Sequence, residues 1–236
     1  SYLKKGIANP YYKISTAAIE DCGYLFPILI QEEEMNKYSI MELYNDILPK
    51  FKAQDIDFEI KIATANSIAV FISECGNLIN EKDIIELFKV YISKTSNEMI
   101  RPEILRVLND ILQDKSGLNL NLDKPIIELK KPILSLLESS SPQIQIKILL
   151  LLETIFKKHP NALKSSTEEI AMQLLNLKIQ EGLILHVFNI LKNMLPLFSE
   201  SLINKGLEHI EAKFNESVMD NTFLTSIFEF THLACQ

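Results

Sequence analysis

SIMELYNDILPKFKAQDIDFEIKIATANSIAVFISECG, residues 39–76, reads as two helices joined by a tight turn. Ser39 stands as N-cap of the first, with Glu42 three residues on, the spacing of a capping box. Pro49 falls inside that helix and should bend it. Asp55-Ile56-Asp57 makes the turn. The second helix runs from Phe58 to Cys75 and stops at Gly76, a natural residue for the position just past a helix end. Phe58, Ile62, Ala65, Ala69 and Ile72 recur at spacings of four and three, which lines one face. Ile68, Phe71 and Cys75 widen it. Glu59, Asn66 and Ser73, spaced by seven, form the wet stripe.

Working outward, the same unit recurs about every forty residues. Second helices are expected to begin near Tyr11, Phe58, Glu98, Gln143, Gly182 and Asn221. A self-similar helix pair of that period marks an α-solenoid of the HEAT or armadillo type. The expected fold is all-α, about six helix-pair repeats in a right-handed superhelix. The approximate repeats are 1–37, 38–78, 79–124, 125–163, 164–198 and 199–236, in a single solenoid segment. The helix from Gln143 to Lys158 is apolar almost all round between Ile144 and Leu152, as suits an internal repeat covered by two neighbours. Gln31 to Lys37 reads as an exposed acidic loop. Leu118, Leu120 and Leu122 alternate with asparagines, which argues for an extended connection with one packed face. The chain does not begin with Met and its first full element is the second helix of a pair, so an excerpt from a longer solenoid is expected.

Composition narrows function. The net charge is −7, with no dense block of Lys and Arg, a poor basis for binding nucleic acid or an anionic membrane. Three dispersed cysteines, Cys22, Cys75 and Cys235, fit a reducing compartment, cytosol or nucleus. No apolar run approaches the length of a membrane span. No phosphate loop, dinucleotide fingerprint, nucleophile elbow or zinc-protease motif occurs, so no catalytic residue, metal site or cofactor is expected. His232 and Cys235 share a helical face at a spacing of three, but two ligands fall short of the usual four. Cys22 and Cys75 fall on apolar faces as small core residues.

A local pattern also repeats: an aliphatic residue followed by a basic one, Ile60-Lys61, Ile100-Arg101 and Ile146-Lys147, near the start of second helices. The basic side chain can reach an acidic turn residue, Asp55 or Asp57, in a ladder of charge-assisted hydrogen bonds. Polar positions early in the second helices are the expected partner face: Tyr12, Lys13, Glu59, Lys61, Arg101, Gln143 and Lys147.

Two stretches carry a closer resemblance. Asn9-Pro10-Tyr11-Tyr12-Lys13-Ile14-Ser15-Thr16-Ala17-Ala18 and Lys52-Ala53-Gln54-Asp55-Ile56-Asp57-Phe58-Glu59-Ile60-Lys61 resemble segments of the cullin-associated and neddylation-dissociated protein family. The outline continues through Lys130 to His159 and Pro160-Asn161-Ala162-Leu163, while the acidic loop beginning at Gln31 has no counterpart. The resemblance is to the central region. It implies a non-catalytic scaffold, found in cytoplasm and nucleus, that holds a cullin with its RING-box protein, opposes neddylation and promotes exchange of substrate receptors in SCF-type ubiquitin ligases. It also implies interaction with the TATA-binding protein. The alternative is an importin-type HEAT transport adaptor.

Overall fold

The computed structural model describes residues 2–31, 35–93, 98–113, 120–139, 141–177, 181–216 and 221–235. Among them every regular element is a helix. The first six are α1 (Tyr2–Ile7), α2 (Tyr12–Gln31), α3 (Met35–Lys52), α4 (Phe58–Cys75), α5 (Glu81–Ile92) and α6 (Arg101–Leu112). Then follow α7 (Asp123–Ser139), α8 (Pro142–Lys158), α9 (Thr167–Asn176), α10 (Glu181–Met194), α11 (Glu200–Glu216) and α12 (Asn221–Ala234). Each even-numbered helix starts within three residues of the start expected from sequence. The chain divides into two compact units, residues 1–129 and 130–236, with the division inside α7.

In the first unit α4 is the hub, packed against α2, α3 and α6. Aromatic rings gather on it. Tyr44 stacks on Phe71 at 4.1 Å between centroids, and Phe26 meets Phe71 edge-on at 5.3 Å. Phe51 packs on Tyr91 at 4.7 Å, and the buried Tyr91 hydroxyl donates to the Ala65 carbonyl at 2.6 Å. Where α2 and α4 approach, Ser67 Oγ donates to the Ile19 carbonyl at 2.7 Å. Gly23 permits this: a Cβ there would come within 3.0 Å of Ser67 Oγ.

In the second unit α10 plays the equivalent part, lying against α8 and α12. Phe188 meets Phe230 edge-on at 6.0 Å. Ile148, Leu152 and Ile155 of α8 are fully buried with Ile190, Leu191 and Met194 of α10. Of the two neighbours expected to cover α8, α10 supplies one side, and Ile146 and Leu150 remain half-buried.

Several local expectations are corrected. Helix α3 begins at Met35, so Ser39 and Glu42 lie within it and form no capping box. Pro49 sits inside α3 as expected, and Pro27 sits inside α2; both helices run on past them. Of the expected loop from Gln31 to Lys37, residue 31 closes α2 and 35–37 open α3; residues 32–34 lie outside those described. Gly76 adopts a right-handed conformation, φ −61°, and starts a short 3-10 turn. A Cβ there would come within 2.6 Å of Leu120, so the missing side chain makes room for the connection between α6 and α7. Leu122 is buried as expected; Leu118 lies outside the described residues.

The stripe on α4 also includes apolar side chains. Glu59, Asn66 and Ser73, expected as the wet stripe, are half-buried, as are Ile62 and Ala69 of the expected apolar face, and Phe58 is 50% exposed. Phe71→Ala should therefore cost about 3–5 kcal/mol in urea denaturation, the range for removing a core ring. Phe58→Ala should stay within about 0.5 kcal/mol, as exposed substitutions do.

Candidate functional site

Lys61 tests the proposed ladder. Its side chain is only 5% exposed. Its ammonium donates to the Phe51 carbonyl and, at 3.0 Å, to the Ala53 carbonyl. These are carbonyls at and just past the C-terminus of α3, where intrahelical donors have run out. A cation there also complements the helix dipole. The Phe51 ring, with its centroid 5.2 Å from Lys61 Nζ, adds a cation–π contact. Asp55 and Asp57 do not take the ammonium. Asp57 instead caps α4, accepting from the Glu59 amide at 2.9 Å, and Asp55 is exposed. The expected aspartate–lysine ladder is thus replaced by a clamp from one helix of the pair onto the end of the other.

Gln145 makes the analogous contact in α8, donating from Nε2 to the Leu137 carbonyl of α7 at 2.9 Å. Sequence reasoning selected Lys147, which is half-buried, and missed Gln145. Its signal was position: Lys61 and Gln145 are each the fourth residue of their helix.

A ladder of ion pairs does exist, but it links neighbouring repeats. Lys4 on α1 meets Glu42 on α3 at 3.1 Å, and Lys124 on α7 meets Glu81 on α5 at 2.7 Å. In the second unit Lys130 on α7 pairs with Glu169 on α9 at 2.8 Å, and Lys205 on α11 with Glu168 on α9 at 3.3 Å. Lys192 on α10 pairs with Glu229 on α12 at 2.7 Å. Exposed pairs of this kind contribute about 0–1 kcal/mol each.

The partner-facing candidates separate by burial. Lys61 and Arg101 are each 5% exposed, and Arg101 Nη1 lies 3.5 Å from Glu98; both are built into the fold and are corrected as contact residues. Lys13 and Gln143 are exposed; Tyr12, Glu59 and Lys147 are half-buried. Tyr12 meets the exposed Tyr11 edge-on at 5.5 Å, outside the core, with Lys13 Nζ 5.9 Å from its ring centroid.

Two concave features of the first unit lie farther along the second helices. One hollow of about 260 Å³ opens between α2 and α4, at Glu20, Tyr24, Asn66 and Val70. Another of about 320 Å³ opens between α4 and α6, at Asn66, Val70, Glu74, Val107 and Asp110. Asn66 and Val70 line both.

Nucleophilic chemistry finds little footing in the cysteines. Burial, with Asp21 and Asp46 adding, pushes the Cys22 thiol up to about 12, and burial with Glu74 pushes Cys75 up to about 11. Both thiols are protonated, and so unreactive, at neutral pH. Cys235 is exposed at the end of α12. Among the described residues no group of three or more His, Cys, Asp or Glu is placed to hold a metal ion, and no helix is long and apolar enough to cross a membrane.

No protein-family model matches the chain. It is 27% identical over 168 residues to cullin-associated NEDD8-dissociated protein 1 of Dictyostelium discoideum, a match covering 70% of this chain and 13% of that protein. The solved structures it resembles include designed repeat proteins. A designed armadillo repeat protein superposes with a TM-score of 0.59 at 13% identity, covering 99% of this chain and 98% of that one. A second, solved in complex with the peptide (KR)4, gives 0.57 at 13% identity over 99% and 97%. An engineered protein gives 0.60 at 14% identity over 99% and 95%.

Lys61→Met should destabilise the chain by about 1–3 kcal/mol in urea denaturation, since two carbonyls lose their donor. Burial lowers the Lys61 pKa below its ordinary 10.5. Between the lowered value and 10.5 the unfolded chain binds more protons. In that window the stability of the unsubstituted chain relative to Lys61→Met should therefore rise with pH. A native-state thiol titration should modify Cys235 at once and Cys22 and Cys75 only on unfolding.

The fold is all-α, of the armadillo and HEAT repeat kind, and the resemblance to the cullin-associated, NEDD8-dissociated proteins is borne out over part of such a protein's length.

Proposed function

We propose that this chain is a non-catalytic, helical-repeat segment of a cullin regulator. The activity is steric. A repeat surface laid along a cullin and its RING-box subunit blocks attachment of the ubiquitin-like modifier and competes with substrate-receptor modules, so that receptors exchange. Cytoplasm and nucleus are where such a regulator meets its partners. The sequence similarity to a cullin-associated protein, spread over 70% of the chain, carries this reading. The repeat fold supports it, since each repeat touches its neighbours and the accumulated faces present a long binding surface.

Tyr12, Lys13, Glu59, Gln143 and Lys147 are the proposed contact residues, being the polar candidates that the fold leaves accessible. Parallel pull-downs of a purified cullin–RING core and of the nuclear-transport GTPase by this chain should retain the cullin core alone. Lys13→Glu combined with Lys147→Glu should weaken that capture about tenfold, equivalent to ~1.4 kcal/mol. Capture of the GTPase without the cullin would transfer the chain to the transport adaptors.

A further inference from the structure

Three large apolar side chains lie exposed at one end of the first unit, each where a second helix begins. Tyr11 directly precedes α2, Phe58 is the first residue of α4, and Met99 stands two residues before α6. They are 52%, 50% and 90% exposed. The three starts share one end because the helices run parallel. Ser67 of α4 bonds the Ile19 carbonyl of α2, and farther on in both helices Cys75 meets the Phe26 carbonyl, so the register is kept. Tyr91, at the end of α5, bonds Ala65 in the first half of α4, so the chain has returned to that end before α6 starts. The fold itself does not call for apolar residues at such turns: the start of α8 exposes Ser141, Pro142 and Gln143 instead. Charge changes sign along the row. Lys5 and Lys13, both exposed, flank Tyr11, whereas the exposed Asp55 and Asp57 precede Phe58 and the exposed Glu98 precedes Met99. Lys52, exposed at the end of α3, stands near where the sign changes.

We propose that this edge docks one amphipathic helix of a protein partner, its acidic end over Tyr11 and its basic end over Met99. Packed helices stand about 8–10 Å apart, which sets the step from Tyr11 to Phe58 and from Phe58 to Met99. A helix advances about 1.5 Å per residue, so side chains seven apart recur every ~10.5 Å on one face. Apolar residues at positions i, i+7 and i+14 of the partner therefore meet the three in turn. An extended strand cannot do this, since at about 3.3 Å per residue it covers the same step in three residues and turns the next side chain away. Aromatic rings and methionine are the side chains enriched where partners bury surface. The charges fix the direction. A helix favours acidic side chains in its first turn and basic ones in its last. Laid with its N-terminal end over Lys5 and Lys13 and its C-terminal end over Asp55, Asp57 and Glu98, it satisfies its own dipole and the edge together. This inference stands without the cullin reading, with which it shares only Lys13.

The test is fluorescence anisotropy with the full 236-residue chain and a labelled helical peptide. The peptide carries leucine at every seventh position, glutamates toward its N-terminus and lysines toward its C-terminus. It should bind. A peptide of the same composition with the charges exchanged end for end should bind about tenfold more weakly. So should one with the leucines at every fifth position, which scatters them round the helix. Phe58→Ala combined with Met99→Ala should weaken binding of the first peptide about tenfold, as loss of apolar anchors does. Tyr38→Ala combined with Ile127→Ala, at side chains 83% and 51% exposed away from this edge, should leave it unchanged, which separates docking from general apolar adhesion. In the unsubstituted chain a photo-reactive group at the peptide N-terminus should cross-link near Tyr11, and one at its C-terminus near Met99, a readout free of any folding defect. Equal binding of the three peptides, indifference to the Phe58 and Met99 pair, equal loss from the remote pair, or cross-links in the reverse order would overturn the proposal.

Discussion

The first unit depends on how closely α2 and α4 approach. At Gly23 and Ser67 the two helices touch nearly backbone to backbone, and the Ser67 hydroxyl closes the gap with a hydrogen bond to Ile19. A larger residue at either position would separate the helices and open the layer that Phe26, Tyr44 and Phe71 fill. Close packing of this kind makes each repeat's orientation sensitive to its neighbour, because interiors at this density pass on small displacements.

Burying helices on several sides raises a second demand. Helix ends expose carbonyls without intrahelical partners, and stacking hides some of those ends from water. The sequence meets this with side chains from the adjoining helix. Lys61 serves α3, Gln145 serves α7, and Ser15 Oγ donates to the Ile7 carbonyl at the end of α1 at 2.9 Å. These contacts fix which helix end meets which helix side. The surface ion pairs between neighbouring repeats are weaker, yet their partners stand 37 to 43 residues apart where paired by hydrogen bonds, so they carry the repeat period in their own spacing.

That distinction explains what was legible in the sequence. The period, the starts of the even-numbered helices and the apolar α8 follow from patterns of three and four that burial imposes directly. The phase of a face is harder. On α4, Ile62 and Ala69 match the apolar pattern but sit toward the half-open side, because small residues at Ala63 and Ala65 and polar ones at Thr64 and Ser67 occupy the tightest contacts. Close approach selects for size rather than hydropathy, and periodicity reads only the latter. Lys61 failed for a related reason. A charged residue next to an acidic turn invites pairing through space, whereas the geometry offers it a buried helix terminus with two carbonyls. No pattern in one sequence separates the two acceptors. The hollows could not be read at all, since Glu20, Asn66 and Asp110 come from three helices and share no local motif.

The burial of Lys61 and Arg101 changes the electrostatic character of the accessible surface. Both were expected to make the beginnings of second helices basic, and both are consumed by the fold. Among the residues lining the hollows of α2, α4 and α6, carboxylates remain without a matching lysine or arginine, apart from Asp110 with Arg106. A partner lying across the middle of these helices therefore meets acidic rims over an apolar floor, while one approaching Lys13 or Lys147 meets positive charge. On α2, Lys13 and Glu20 stand two turns apart, so charges of opposite sign lie along one helix. Electrostatic complementarity of this kind acts chiefly on which partner docks and in what orientation.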